Sequence, residues 1–376
     1  MRIGINARLL LKRKSGIGYF TERVYEALAV HARGSKVFYY TDDSFTGIQE
    51  FGLSKINSRQ IRKPLYLLWL NTIFKNRLRR DKIDVLLSPN YTPPINPGCK
   101  SVVVFHDLAY FKVPHVHPNK LYRDYMKWAL PRIAKRADHI IAASIHTKKD
   151  IIDIIKVPAE KISVVYQAPS NRFSSNPGRD VIDSMMKKYR LSSKYILFAG
   201  SIDERKNLET AIDALSLYKK DTGDSRVKLV LAGKEDMMPK YTRRLKAYIN
   251  QKKMNDSIIF TGYISEDELI ALYWGASALI FPSLYEGFGV PPLEAMLAGV
   301  PVIASDISSI PELVGNAGLL IKPGDITGFA EAINTVLNSE KTAKELIEKG
   351  RARVMEFSWD KTGKEIYSIL QRVVDE

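Results

Sequence analysis

Cysteine is all but missing. Cys99 stands alone among 376 residues, so no disulfide can form within the chain, and such usage fits a reducing compartment. Long apolar runs are missing too: the most apolar stretch, "YLLWLNTIF" (66–74), falls far short of the ~20 residues that span a bilayer. The N-terminal "MRIGINARLLLKRK" lacks the uninterrupted apolar core of a secretory signal. The expectation is a cytoplasmic protein. Histidine is scarce, and His115 and His117 in "PHVHP" have no identifiable third ligand. No Asp-x-Asp follows a strand, "TDD" (41–43) being a weak substitute, so no essential metal is expected. No segment repeats at a solenoid period.

What is present is a globular composition, 45% hydrophobic and 26% charged, in a chain long enough for two domains. The formal charge of +16 is unusual and partly local: between Lys55 and Lys82 nine basic side chains accompany one acid, Asp81. Such a patch suits nucleic acid, anionic lipid or a phosphorylated substrate. No RNA or DNA motif accompanies it, and aromatic residues are not interleaved into a stacking platform. No nucleic acid partner is expected, and a basic nucleic-acid-binding protein remains the rival reading from another class.

Short apolar runs alternate with helical patterns: "MRIGIN", "KVFYYT", "DVLLSP", "SVVVFHD", "HIIAAS" and "KISVVY", then "YILFAG", "VKLVLAG", "SIIFTG", "SALIFPS", "VPVIAS" and "GLLIKP". This alternation predicts an α/β protein with parallel sheets covered on both faces. Between the two sets, "APSNRFSSNPGRDVIDSMMKKYR" shifts to Ser, Asn, Pro and Gly, as a connection would. The predicted division is a first doubly wound domain over 1–170, a linker over 171–190, a second over 191–355, and a final amphipathic helix over 356–376. Ligands are expected at strand carboxyl ends, in the cleft between the domains.

The stretch "SLYEGFGVPPLEAMLAGVPVIAS" (283–305) places Glu286 on a loop after a strand and Glu294 in or near the first turn of a helix. Prolines open that helix and Gly299 follows it, the usual punctuation. Gly287 and Gly289 allow close backbone approach, and the helix start offers unpaired N–H groups to an anion. Carboxylates repel phosphate but accept from vicinal hydroxyls. A nucleotide-sugar meets both demands. Either glutamate alone is better explained by solvation or by the helix dipole, whereas the constellation favours a ligand clamp. In "AGSIDERKNLETAIDAL" (199–215), Arg205 and Lys206 stand just before a helix at another strand end, where cations converge on phosphate. In "KSGIGYFTERV" (14–24), Gly16 and Gly18 precede a helix as a mobile loop able to cap a diphosphate, or as a plain helix start. Their spacing from the first strand argues against a dinucleotide fingerprint. His106 in "VVVFHDL" follows a strand, to touch a sugar hydroxyl or to bond nearby backbone.

With "PSLYEGFGVPPLEAMLAGVPVIAS" and its continuation "SSIPELVGNAGLLIKPGD", nearly the whole chain resembles the retaining glycosyltransferases of family 4. That resemblance implies the GT-B fold of two facing Rossmann-like domains, with the last helix, around Trp359, crossing back to the first. It implies that Glu294 binds ribose hydroxyls, that Glu286 faces the donor hexose, and that Gly287, Phe288 and Gly289, with Val290 beside them, contact donor sugar and phosphate. Lys206 matches the lysine that neutralises the leaving diphosphate, Gly16 and Gly18 the first-domain glycine loop, and His106 the histidine beside the donor sugar. Many relatives carry arginine directly after the strand glycine; Ser201 stands there, and Arg205 is the substitute cation.

The implied reaction is hexose transfer from a nucleoside diphosphate sugar to a hydroxyl of a glycan or lipid-linked acceptor, with retained configuration and no cofactor or metal. GDP-mannose is the favoured donor, by analogy with bacterial polysaccharide mannosyltransferases. An epimerase or phosphorylase on the same fold is the enzymatic alternative. The patch over 55–82, with "KPLYLLWLNTIFKNRLRR", is expected either to lie on the inner face of the cell membrane or to pack on its own domain with a solvated basic face.

Overall fold

In the computed structural model, residues 1–7, 16–40, 68–113, 119–191, 194–236 and 238–376 are described. The chain forms two compact units. One comprises Met1–Phe111, Asn119–Gln167 and Ser358–Glu376, the other Lys112–Pro118 and Ala168–Phe357. His115, His117, the "TDD" stretch and the basic residues over 55–63 lie outside the described residues.

All twelve apolar runs are strands, because a strand covered on both faces needs an almost unbroken apolar sequence. The first unit holds β1 (Arg2–Asn6), β2 (Lys36–Tyr40), β3 (Val85–Ser88), β4 (Lys100–Phe105), β5 (His139–Ala142) and β6 (Ile162–Val164), in the order β2-β1-β3-β4-β5-β6. The second holds β7 (Tyr195–Ala199), β8 (Lys228–Ala232), β9 (Ile258–Gly262), β10 (Ala278–Phe281), β11 (Val302–Ser305) and β12 (Gly318–Ile321), in the order β12-β11-β10-β7-β8-β9. Every pairing is parallel. In the second sheet the winding reverses between β7 and β10, which creates a crevice beyond their carboxyl ends.

The last helix, Trp359–Asp375, returns to the first unit. Its Gly363 lies so close to helix Gly16–His31 that an added Cβ would stand 2.5 Å from the Ala27 Cβ. Its Thr362 hydroxyl donates to the Tyr166 carbonyl at 2.7 Å. Residues 171–190, expected as a connection, fold with the second unit: helix Arg179–Lys188 sets Lys188 Nζ 2.5 Å from Glu268.

The described part of the basic patch turns its apolar face inward. Trp69, Leu70, Phe74 and Leu78 are buried with Tyr40, Ile83 and Leu86, while Arg79, Arg80 and Lys82 are exposed. Among the described residues of the patch, Leu68 and Ile73 are the large apolar side chains left exposed. Trp69, Leu70, Phe74 and Leu78 serve the first unit's own core.

Candidate active site

Two strand ends flank the crevice of the second sheet. β7 runs into Gly200 at φ +151°, a conformation glycine tolerates. Here β8 comes so near that a Cβ on Gly233 would stand 1.6 Å from the Gly200 carbonyl oxygen. The chain then makes a single 3₁₀ turn, Glu204–Lys206. Asp203 organises that turn: one carboxylate oxygen accepts from the Arg205 N–H at 3.0 Å, the other from the Ser201 hydroxyl at 2.6 Å. Ser201 thus braces the loop and carries no charge into it. Asn207, left-handed at φ 52°, donates its side-chain amide to the Pro282 carbonyl at 3.2 Å. That bond ties the β7 loop to the β10 loop.

From β10 the loop passes Glu286, Gly287 and Phe288 to Gly289, which caps helix Val290–Leu297 at φ +97°. Two prolines in the first turn need no amide partner. Val290 is the first helical residue, so its N–H has no intrahelical acceptor. Phe288 is buried against Phe357, ring centroids 6.1 Å apart, so its side chain anchors the loop. The Ser308 hydroxyl accepts from the Glu286 N–H at 3.0 Å. Ser309, fully buried, donates toward the carbonyls of Glu286 and Phe288 at 3.0 and 2.8 Å.

Glu286 is 5% exposed and Lys206 6%. Lys206 Nζ stands 2.5 Å from Glu286 Oε1, and Arg205 Nη1 stands 3.6 Å from Oε2. Burial pushes the Glu286 carboxyl up, but Lys206 and Arg205 together hold it below its ordinary value. Lys206 also lies 5.1 Å from the centre of the Phe281 ring. Two cations, one carboxylate and a helix start therefore meet at one crevice. That arrangement can stabilise negative charge on one side and accept from hydroxyls on the other.

Glu294 is held separately. Its Oε2 accepts from the Tyr273 hydroxyl at 2.9 Å, and Tyr273 is fully buried with Phe173 edge-on at 5.2 Å. Burial outweighs that hydrogen bond and pushes the Glu294 carboxyl up to about 7. Tyr273, Asp203, Ser308 and Ser309 were not singled out from the sequence. Only "SSIPELVG", inside the extended motif, hinted at the serines.

The remaining expected site residues belong to the first unit. Helix Gly16–His31 already begins at Gly16, so Gly18 lies in its first turn and not in a preceding loop; helix ends drift by such amounts. His106 is buried beyond the end of β4 and donates Nε2–H to the Pro89 carbonyl at 2.8 Å. Its Nδ1 faces the Gln167 amide at 3.5 Å. Burial lowers its pKa against the pull of Pro89 and Asp107, favouring the neutral ring. Among the described residues, no cluster of three or more His, Cys, Asp or Glu side chains forms a metal cage.

Comparison with known proteins bears on this geometry. Residues 15–168 match the family model described as Glycosyltransferase Family 4, and residues 182–353 the one described as Glycosyl transferases group 1. O-antigen chain mannosyltransferase B of Escherichia coli is 30% identical over 304 residues, 80% of this chain and 78% of that protein. Serotype-specific mannosyltransferase WbdA of Escherichia coli is 31% identical over 284 residues, 73% of this chain but 34% of WbdA. The structure of Anabaena Alr3699/HepE in complex with UDP-glucose superposes with a TM-score of 0.79 at 18% identity, covering 99% of this chain and 100% of that one.

Proposed function

The chain belongs to the glycosyltransferases of family 4 and group 1, and from that membership we propose that it moves mannose from GDP-mannose to a hydroxyl of a growing glycan or lipid-linked glycan, with retained configuration. The observation that carries the reading is the buried Lys206–Glu286 pair, flanked by Arg205, beyond the ends of β7 and β10. Donor diphosphate draws Lys206 and Arg205 to the oxygens where charge develops, and the Val290 N–H at the start of helix Val290–Leu297 adds a fixed dipole. Glu286, kept ionised by those cations, accepts from hexose hydroxyls; Glu294 accepts from the ribose. Attack from the face that the diphosphate leaves lets a phosphate oxygen take the acceptor proton. This mechanism needs neither a metal nor an enzymic nucleophile. For Gly16, Gly18 and His106 the proposal is the one the family resemblance carries, contact with the donor.

The two Escherichia coli mannosyltransferases support mannose, and the first of them supports a polysaccharide chain as acceptor. Thermal shift against GDP, UDP, ADP and their sugars tests the donor. Selective stabilisation by GDP and GDP-mannose is expected; stabilisation by UDP-glucose alone replaces the donor, and by none overturns the reading. We propose further that the enzyme works at the inner face of the cell membrane. Attraction there is chiefly electrostatic, through exposed Arg79, Arg80 and Lys82, since Trp69, Leu70, Phe74 and Leu78 are buried. Flotation with anionic vesicles, lost at high salt, is the expected result, and absence of binding at low salt refutes it.

A further inference from the structure

Helix Lys120–Arg136 packs Met126, Leu130 and Ala134 into the first unit. Yet the same helix leaves Leu121, Tyr122, Tyr125 and Trp128 exposed, Trp128 by 56%. Clustered exposed rings are a mark of recognition. The rings also form a file. Tyr122 lies 6.3 Å from Tyr125 and Tyr125 6.1 Å from Trp128, centre to centre, with planes tilted by only 37° and 32°. Arg132 closes the file: its guanidinium sits 4.1 Å over the Trp128 ring and donates to the Trp128 carbonyl at 2.8 Å, fixing the indole.

Beside this file runs a groove of about 260 Å³, between the helix and the proline-rich loop 91–99. Tyr125 and Trp128 line it together with Asn71, Asn96, Arg132 and Arg136. Planar amides and guanidinium groups around aromatic faces suit a sugar, whose C–H face stacks on a ring while its hydroxyls exchange hydrogen bonds at the edge. Leu70, Pro94, Ile95 and Ile133 supply apolar surface to the same groove, so polar groups stand at its edge and apolar ones along its wall, as the two sides of a sugar ring require. Ser101 and Asp138 line the groove at the amino-terminal ends of β4 and β5, whereas His106 follows the carboxyl end of β4. Five strand residues at ~3.3 Å each separate the two ends by roughly 16 Å.

We propose that this groove and its ring file form a second, non-catalytic binding site for a glycan chain, which holds sugars of the acceptor away from the reacting end. The glycan class rests on the transferase reading above. The test uses the full chain and a linear α-linked mannotetraose, followed by saturation-transfer NMR and titration. Binding is expected with GDP present and in Lys206→Ala, and Trp128→Ala or Tyr125→Ala weakens it about fivefold, as loss of one stacking contact should. Trp128→Ala keeps its melting temperature and its turnover of a monosaccharide acceptor, while KM for the tetrasaccharide rises by the same factor. No saturation transfer, or wild-type affinity retained in both ring variants, overturns the proposal. So does a Trp128→Ala variant that loses binding to phosphatidylglycerol vesicles and keeps its oligosaccharide affinity, because the face would then serve a bilayer. Mannotetraose binding without any nucleotide stabilisation would leave the groove standing and remove the transferase reading.

Discussion

Replacing Lys206 by methionine removes the nearest cation from a carboxylate that is 5% exposed. Arg205 remains, but at 3.6 Å against 2.5 Å for the lost ammonium. Leaving a buried charge without its partner costs about 3–5 kcal/mol, whereas neutralising both partners is often nearly neutral. Lys206→Met and Glu286→Gln should therefore each destabilise the second unit, and the double variant should recover most of the loss. For a unit of this size the single changes lower the melting temperature by on the order of 10 °C. Two single losses of about 3–5 kcal/mol that nearly vanish in the double variant correspond to a coupling of at least about 5 kcal/mol.

The pH dependence supplies a second signature. Glu286 titrates below its ordinary 4.5 in the folded protein, so the pair's contribution is present above that pH and fades as acid protonates the folded carboxylate. In Lys206→Met the sign reverses: burial now dominates, the folded carboxyl titrates higher than the unfolded one, and stability falls as pH rises. Urea unfolding between pH 3 and 8, read by fluorescence, measures both trends. Turnover behaves differently. Every variant in the cycle should lose on the order of 10²–10³ in kcat, because an oriented cation at developing charge is worth that much, and the double variant regains none of it. Additive stability losses, or a Lys206→Met enzyme with normal turnover, would refute the reasoning.

Other consequences are briefer. Glu294, pushed up to about 7 by burial, accepts from ribose hydroxyls with both oxygens only when ionised; nucleotide affinity should climb between pH 6 and 8, and Glu294→Gln should flatten that profile in calorimetric titration. Ser309→Ala leaves the buried carbonyls of Glu286 and Phe288 without its hydroxyl, at a cost of about 1–3 kcal/mol; chemical denaturation should show that loss, with a rise in donor KM. Gly233→Ala puts a methyl 1.6 Å from the Gly200 carbonyl oxygen, and its two backbones cannot part without breaking the β7–β8 edge; soluble, nucleotide-binding protein from this variant would contradict the packing described.

The strands were legible because burial on both faces writes an unbroken apolar run into each, as in "YILFAG" and "SALIFPS". Their order was not, since any of several pairings satisfies such runs. Only the observed neighbours β7 and β10 bring Lys206 to Glu286 across 80 residues of sequence. The motifs therefore named the charged groups but not the ion pair that they form. Tyr273 and Ser309 escaped for a related reason: each acts through one hydrogen bond or two made far along the chain, and a lone hydroxyl residue has no local pattern. The amphipathic segments show the same limit in reverse. "YLLWLNTIF" and "KLYRDYMKWALPRIAKRA" both mix aromatic and basic residues, yet the first buries Trp69 and Phe74 while the second exposes Tyr125 and Trp128. Composition sets how much apolar surface a helix carries, and the sheet it packs on decides which part is hidden. Tertiary packing thus leaves the patch its charged face and adds a second candidate contact surface, the helix whose rings stay in the open.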